Sequence, residues 1–333
     1  LAISNAASGF HLLADMLRLG EHDEVVCPAH TYCASVYPFL KHGAKVRWAD
    51  INPKTRVADA ENLLNMVTGK TRVIVAVHLY GFLIDLSEVR ELCDQRGIIL
   101  IEDCAQSIGA HRDGRYAGQW GDYSLFSFQS QKNISTLGEG GIMVTNERQE
   151  SNYKNLKLLR HNGHSPFPDQ EKYWVPAMVN LEPTFVNESL ICPQNYCLSE
   201  VQCLIGKLLL DEIENFSNRR RAMANEIIGA SDTNGLFNFH KVEGPEHVYH
   251  LLVASVDASL KNLIIEKLNQ LGIQAIVQYY PLYKYDLFKA FSDDQIFLKN
   301  TEEFFNSMVS LPFSLTLKNK DIALLKSAIE YIS

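Results

Sequence analysis

Short apolar runs of strand length alternate with helical patterns through the first 150 residues, and this alternation restricts the possible folds more than any other feature. The runs at 71–77, 98–101 and 123–128 are typical of buried strands, whereas 10–19 and 86–96 have the apolar spacing of helices. Strands that alternate with helices predict a mostly parallel sheet flanked by helices. We therefore expect an α/β fold.

The second half of the chain begins with a long helical pattern. Residues 198–230 predict one or two long helices, which could link two domains. Strand-like runs at 248–256 and 274–280 then lie on either side of a predicted helix at 260–271.

Two further segments complete the predicted organisation. Residues 32–42 predict a helix, and residues 163–186, which are rich in aromatic residues and proline without periodicity, predict a long loop. We expect a large domain over 1–230 and a smaller C-terminal α/β domain over 231–333, with the functional site between them and near a dimer interface.

Composition excludes several classes of protein. The net charge of −8 argues against a nucleic-acid partner, and the sequence lacks the uncharged apolar run of about 18 residues that a membrane span needs. The seven cysteines form no Cys-x-x-Cys pair, which favours reduced thiols and a cytoplasmic location. Because Leu1 already stands within a motif that enters a helix, we expect upstream residues to be missing.

A carboxylate and an amide follow one of the buried strands. Asp103 comes just after residues 98–101, and ligands of open α/β sheets bind beyond the carboxyl ends of the strands. Gln106 would face the same way if a helical turn begins there. A strand-end acid that caps a helix or meets solvent remains an alternative interpretation of Asp103.

Lys132 occupies a polar turn between a strand and the glycine-rich segment 138–141. Glycines allow the backbone to approach a ligand closely. Burial in such a site would lower the pKa of the lysine and free its amine to attack a carbonyl carbon. The alternative is a solvated surface charge.

Pyridoxal phosphate (PLP) requires a combination of this kind: a lysine that binds it as a Schiff base, a carboxylate at its ring nitrogen, and a cradle for its phosphate. Helix N-termini commonly provide such a cradle. The small residues of segment 4–9 precede a predicted helix and would let the backbone approach a phosphate. An ordinary N-cap by Ser4, Asn5 or Ser8 is an equally good interpretation of this segment.

Six motifs in this order resemble the DegT/DnrJ/StrS family of sugar aminotransferases, which has the type I, aspartate-aminotransferase-like PLP fold. The motifs are Ile-Ser-Asn-Ala-Ala at 3–7, Pro-Ala-His-Thr-Tyr at 28–32, Val-His-Leu-Tyr-Gly at 77–81, Ile-Glu-Asp-Cys-Ala-Gln at 101–106, the lysine loop at 127–141, and Asn-Tyr with Ser-Glu and Gln at 195–202. The resemblance extends over nearly the whole chain.

The resemblance assigns residues to the cofactor's ring. It implies that Lys132 is the catalytic lysine that holds PLP, that Asp103 pairs with the pyridine nitrogen, and that Gln106 meets the ring hydroxyl. Tyr32 would stack on the ring.

The resemblance also assigns residues to the cofactor's phosphate. Ala6 and Ala7 lie in the phosphate turn, and Ser127 would contact the phosphate. Asn195 would reach the phosphate of the neighbouring subunit, so a homodimer with shared sites is implied. Capping of the helix that follows is the alternative role for Asn195.

The chain departs from the family pattern in three places. Ala6 and Ala7 replace a Gly-Thr pair, which removes a hydroxyl from the phosphate turn, although backbone N–H contacts would remain. Cys197 replaces an arginine. A segment of roughly 40–50 residues that precedes the first motif in the family is absent from this sequence.

The predicted reaction moves an amino group from glutamate or glutamine to a keto-sugar. A nucleotide-linked keto-hexose or an eight-carbon keto-sugar acid would be the acceptor, in a pocket shaped by segments 163–186 and 277–283. The alternatives are a PLP-dependent sugar dehydratase, against which Lys132 argues, and a non-catalytic PLP-binding regulator. A nucleotide-binding α/β protein without PLP ranks last, because no Gly-x-Gly-x-x-Gly follows a strand.

Overall fold

The computed structural model describes residues 1–146, 150–166, 179–231, 235–292 and 296–332. Its strands are β1 (Ala2–Ile3), β2 (Glu24–Pro28), β3 (Lys45–Ala49), β4 (Thr71–Val77), β5 (Ile99–Asp103), β6 (His111–Arg112), β7 (Arg115–Tyr116), β8 (Tyr123–Ser127), β9 (Gly141–Thr145), β10 (His164–Ser165), β11 (Asn180–Leu181), β12 (Thr184–Val186), β13 (Ser189–Ile191), β14 (Asn238–Phe239), β15 (Leu252–Ser255) and β16 (Met308–Leu311). The helices are α1 (Ala6–Leu17), α2 (Ala60–Leu64), α3 (Ser87–Arg96), α4 (Glu150–Arg160), α5 (Glu200–Leu210), α6 (Ile213–Gly229), α7 (Lys261–Gln270), α8 (Asp286–Lys289), α9 (Lys299–Ser307) and α10 (Asn319–Ile332).

The central sheet has seven strands in the order β1-β9-β8-β5-β4-β2-β3. The five strands β8, β5, β4, β2 and β3 pair in parallel with their neighbours. At one edge of the sheet, β9 pairs antiparallel with β8, and β1 pairs antiparallel with β9. The central strands are apolar and almost fully buried, as a parallel sheet covered on both faces requires. The predicted α/β fold with a mostly parallel sheet is confirmed.

A second core cluster lies outside this sheet. It contains apolar residues of α6, α7 and α10 and of the three-stranded sheet β14-β15-β16. The cluster includes Ala224, Ile227 and Ile228, so the end of α6 packs with the C-terminal elements. The boundary between the two domains at residue 230 stays a prediction.

Three predicted elements differ from the structure. Residues 32–42 form two 3₁₀ segments, Cys33–Ser35 and Tyr37–His42, where Pro38 supplies no N–H for a continuous α-helix. Residues 274–280 form no strand, since Ile276 alone bridges to Ser310.

The strand predicted over 248–256 is shorter than expected. Only Leu252–Ser255 pairs within the C-terminal sheet. The N–H groups of Val248 and His250 instead donate to the carbonyls of Gly81 and Tyr80. This segment therefore fastens the C-terminal part of the chain to the turn that follows β4.

The predicted loop at 163–186 is only partly described. Residues 167–178 lie outside the described residues, and the flanking parts form the hairpin strands β10 and β11 and the start of the hairpin β12–β13. All seven cysteines are free thiols, as the spacing predicts. Within the described ranges, no helix combines the length and the apolar character needed to cross a membrane.

Gly81 allows the segment with Val248 and His250 to approach the turn after β4 closely. Its φ is +92°, and a Cβ built there would lie 2.9 Å from the backbone nitrogen of His250 and 3.0 Å from the carbonyl oxygen of Gln106. Neither backbone atom can move without disturbing a neighbouring element.

Gly81→Ala should therefore lower the free energy of unfolding by about 3 kcal/mol, because a strained φ and a steric overlap add. The matched control is Gly97→Ala, where φ is also positive at +65° but nothing lies within 4 Å of the added Cβ. We expect that variant to lose only about 1 kcal/mol in denaturant unfolding. Equal losses at both positions would contradict the packing argument.

Candidate active site

A cavity of about 430 Å³ lies at the carboxyl ends of the central parallel strands. Val77, Asp103 and Ser127 end three of these strands, β4, β5 and β8, and all three residues line the cavity. The N-terminus of α1 closes one side. This is the usual place and size for a small-molecule site in an open α/β sheet.

The cavity brings together seven of the eight site residues predicted from the sequence. Those in its wall are Ala6, Ala7, Tyr32, Asp103, Gln106, Ser127 and Lys132. Asn195 is the eighth, and it is not part of the wall within the described chain. The individual roles of all eight residues remain predictions.

The carboxylate of Asp103 is buried and fixed by two hydrogen bonds. Ser35 Oγ donates to Oδ2 at 2.5 Å, and the backbone N–H of Ala105 donates to Oδ1 at 3.0 Å. These two donors orient the carboxylate.

The side chain of Gln106 connects two parts of the chain. Its Oε1 accepts from the backbone N–H of Tyr80 at 2.7 Å, and its Nε2 donates to the hydroxyl of Tyr279 at 3.1 Å. Burial raises the pKa of Tyr279 to about 12, so this phenol stays protonated at neutral pH. Tyr279 thereby reaches the cavity from the C-terminal part of the chain, as the prediction for segment 277–283 expects.

Gln278 of the same segment also lines the cavity, but Tyr280 and Tyr283 do not. Tyr280 and Tyr283 line a separate hollow of about 410 Å³. Tyr283 donates a hydrogen bond to Glu302 there. Among the described residues of segment 163–186, none lines the cavity.

Lys132 lies in the turn after β8, where its backbone N–H donates to the carbonyl of Gln129 at 2.8 Å. Its side chain is half-buried, and Nζ has no hydrogen-bond partner within the described ranges. Burial lowers the pKa of the amine, while the charges of Asp103 and Glu139 act in the opposite direction. The sequence-based expectation of a desolvated lysine agrees with this environment.

The N-terminus of α1 presents backbone donors to the cavity. Asn5 is the N-cap: its Oδ1 accepts from the N–H of Ser8 at 2.8 Å, and Ser8 Oγ accepts from the backbone N–H of Asn5 at 3.3 Å. The N–H groups of Ala6 and Ala7 make no hydrogen bonds with the described part of the chain. The two interpretations of segment 4–9 are therefore compatible, since Asn5 can cap the helix while the N–H groups of Ala6 and Ala7 bind a phosphate.

Tyr32 stands at the mouth of the cavity with 57% of its surface exposed. Its ring lies 6.2 Å from the ring of Tyr279, centroid to centroid. The side chain can therefore reach a planar group in the cavity without disturbing the core.

Asn195 is exposed, and its Oδ1 accepts from the N–H of Cys197 at 3.4 Å. It does not cap the helix that follows. Ser199 is the N-cap of α5, with its Oγ accepting from the N–H of Gln202 at 3.3 Å. The alternative capping role for Asn195 was wrong.

Two residues that sequence analysis did not select also belong to the site. Ser35 holds Asp103, and Thr31 lines the cavity with a buried Oγ1 that has no partner among the described residues. Thr31 lies within a family-like motif that could have identified it. Nothing in the sequence links Ser35 to Asp103, which lies 68 positions away.

These residues fit PLP. The free amine of Lys132 and the fixed carboxylate of Asp103 line one cavity. Two unpaired backbone N–H groups and the unpartnered hydroxyl of Thr31 are the donors that a phosphate takes. The loss of the family's Gly-Thr pair leaves these donors in place.

A family model described as the DegT/DnrJ/EryC1/StrS aminotransferase family matches residues 1–330. The chain is 32% identical to dTDP-3-amino-3,4,6-trideoxy-alpha-D-glucose transaminase from Micromonospora megalomicea subsp. nigra, over 76% of this chain and 63% of that protein, and so spans less than two thirds of it. It is 30% identical to GDP-perosamine synthase from Escherichia coli O157:H7, over 84% and 72% of the two chains.

The fold has close structural neighbours. The putative sugar aminotransferase Spr1654 from Streptococcus pneumoniae in its PMP-form superposes with a TM-score of 0.84, at 24% identity, over all of this chain and 88% of that one. The structural likeness shows the fold, and the family model, which matches residues 1–330, assigns the chain to a family. The chain therefore belongs to the DegT/DnrJ/EryC1/StrS aminotransferase family, whose members depend on PLP.

Proposed function

We propose that this chain transfers an amino group from glutamate or glutamine to a keto-sugar, with Lys132 as the catalytic lysine. The observation that carries the proposal is the placement of Lys132, Asp103 and the N-terminus of α1 in the wall of one cavity. A nucleophilic amine, a fixed anion and a phosphate cradle are the set that PLP chemistry requires.

PLP, when bound, supplies an electron sink for the carbon that carries the transferred amine. Asp103 would hold the proton on the ring nitrogen, since Ser35 orients its carboxylate. The N–H groups of Ala6 and Ala7, with Thr31 and Ser127, would hold the phosphate. Gln106 would meet the ring hydroxyl and Tyr32 the ring face.

Lys132 would act as the general base. Because burial lowers its pKa, a larger share of the amine is neutral near pH 7 than for an exposed lysine. Nζ can then take the proton from the α-carbon of the donor and later deliver one to the carbon of the acceptor.

The acceptor is proposed from the relatives and from the cavity. Both relatives named above act on sugars carried by nucleotides, which favours a nucleotide-linked keto-hexose, with an eight-carbon keto-sugar acid as the second choice. The hydroxyl of Tyr279 and the amides of Gln129, Gln131 and Gln278 provide uncharged hydrogen-bonding groups of the kind sugars bind.

We further propose a homodimer with shared active sites. Helix α5 exposes an apolar stripe made of Val201, Leu204 and Leu208, each 59–67% exposed, and Leu137 nearby is 77% exposed. Contiguous exposed apolar side chains commonly mark an interface. Asn195 lies a few residues before this stripe, outside the wall of its own cavity, so a partner's cavity is a consistent destination.

The PLP-loaded protein should transfer the amine of glutamate or glutamine to at least one nucleotide-linked keto-hexose, because its residues satisfy the requirements for PLP-dependent transfer. Formation of 2-oxo acid and amino sugar by mass spectrometry measures this. Lys132→Ala should remain folded and lose at least about a thousandfold in rate. A variant that retains its turnover would remove Lys132 from the mechanism, and dehydration without transfer would favour the dehydratase.

The negative charge of Glu139 should sustain the pKa of Lys132. Glu139→Gln removes that charge, so the pKa of the amine should fall further below its ordinary value. Competitive acetylation of the cofactor-free protein across pH measures the pKa at Lys132. Glu91→Gln, on the surface of α3, is the control and should leave it unchanged. A rise in the pKa for Glu139→Gln would contradict the charge assignment.

Shared sites predict complementation between two inactive variants. When Asn195→Ala and Lys132→Ala subunits exchange, one site of each mixed dimer carries both defects and the other carries neither. Activity should return to about a quarter of wild type after random exchange.

The control for this exchange pairs Lys132→Ala with the double variant, which leaves every site defective. No activity should return in that mixture. If Asn195→Ala is fully active alone, or if exchanged mixtures remain inactive, sites are not shared through Asn195.

A further inference from the structure

A second cavity, of about 560 Å³, adjoins the first at Lys132. Gln131, Lys132 and Gln278 belong to the walls of both cavities. The remaining wall comes from other residues of the 130–135 turn, from α5 and α6, from residues 250–251, from Gln274 and Ile276, and from residues 310–316 at the end of β16 and beyond. A ligand in this second cavity would therefore lie next to the side chain of Lys132.

Among the described residues, the wall of this second cavity carries positive charge and no acidic side chain. Lys132 and Arg220 are its charged side chains, and its described wall contains no aspartate or glutamate. His250 also lines it, and burial holds the pKa of that imidazole well below its ordinary value, so the ring is neutral. A wall of this kind concentrates anions.

Arg220 is a buried cation whose described partners are all uncharged. Nε and Nη2 donate to the carbonyl of Tyr249 at 3.0 and 2.8 Å, and Nη2 also donates to the carbonyl of His250 at 2.8 Å. The ring of Phe313 lies 4.9 Å from the guanidinium carbon. Burial without a counter-ion lowers the pKa of Arg220 to about 10.

The Nη1 edge of this guanidinium remains available. Nη1 makes no hydrogen bond with the described part of the chain, while only 4% of the Arg220 surface is exposed. Burying a charge is costly unless an opposite charge compensates it. Among the described residues only carbonyl groups and the Phe313 ring stabilise this charge, so an anion in the cavity would compensate it.

Two more donors in the same wall lack partners. Asn133 Nδ2 and Ser310 Oγ are buried and have no hydrogen-bond partner among the described residues. Asn133 Oδ1 is already bonded to His250 Nδ1 at 2.9 Å, which fixes the orientation of the amide. Both residues are more than nine-tenths buried, at 8% and 1% exposure.

We infer that the second cavity is an oxyanion subsite, in which Arg220, Asn133 and Ser310 hold the carboxylate of the amino-acid donor. This inference rests on the proposed function. A carboxylate is one bond from the carbon that bears the donor's amine, so holding it beside Lys132 brings that carbon to the catalytic amine. A sugar hydroxyl in its place would leave the charge of Arg220 uncompensated.

The test measures binding of glutarate, a dicarboxylate without an amine, to the PLP-loaded protein by calorimetry. Asn133→Asp retains the acceptor for His250 but replaces the free donor with a negative charge, and it should weaken glutarate binding at least about tenfold. Asn65→Asp adds the same charge at an exposed site on the C-terminal end of α2 and should have no effect. Glutaramide, the neutral analogue, should bind at least about tenfold more weakly than glutarate.

Two further variants separate charge from structure. Arg220→Lys retains the charge and should keep the glutarate Kd within about threefold, whereas Arg220→Gln should lose at least about tenfold. If either fails to fold, Ser310→Ala removes one donor at little structural cost and should weaken binding about threefold. Thermal unfolding checks that each variant is native.

An unchanged glutarate Kd in Asn133→Asp and Ser310→Ala, or equal binding of glutaramide, would overturn the inference. A nucleoside diphosphate distinguishes the other source of an oxyanion. If Asn133→Asp weakens binding of the diphosphate and leaves glutarate unaffected, the cavity serves phosphate and the donor assignment is wrong.

The proposed function and this inference fail in different ways. If the protein transfers the amine but its glutarate binding does not depend on Asn133, Ser310 or Arg220, only the subsite is overturned. Conversely, glutarate binding that depends on these residues, in a protein that transfers no amine to any keto-sugar, overturns the proposed activity and keeps the subsite.

Discussion

The buried carboxylate of Glu102 organises the strand ends on which the cavity depends. It accepts a hydrogen bond from His78 at 2.9 Å, just beyond β4, and from the N–H groups of Gly118, Trp120 and Gly121, just before β8. Burial alone would raise the pKa of Glu102, but these donors bring it below its ordinary value, so the carboxylate is charged. Because side chains alternate along a strand, fixing Glu102 on one side directs Asp103 to the other, into the cavity.

The sheet was predictable from the sequence because parallel strands are continuous apolar runs. Thr71–Val77 has the predicted bounds. The strand predicted from residue 248 begins only at Leu252, because Val248 and His250 bond instead to the turn at Gly81. Contacts between distant segments of this kind leave no periodic signal. The same reason explains why Ser35 was missed: its bond to Asp103 joins residues 68 apart through a 3₁₀ segment.

Lys132 lies where two electrostatic environments meet. On one side, Asp103 and Glu139 supply negative charge that supports its protonated form. On the other side, the described wall of the second cavity holds Arg220 and no acid. A lysine between opposite fields has a pKa that responds to whatever occupies either cavity, which suits a group that must both release and accept a proton. The motifs of the sequence located this lysine, but only the fold reveals the second cavity, since its wall draws on five separate stretches of chain.

The identity of the lysine that bonds to PLP is the central claim. Reduction of the PLP-loaded protein with borohydride fixes that bond, and peptide mapping by mass spectrometry then locates the pyridoxyl group. The account predicts that the modified residue is Lys132, with one group per chain. Modification of a different lysine, with Lys132 unmodified, would contradict it.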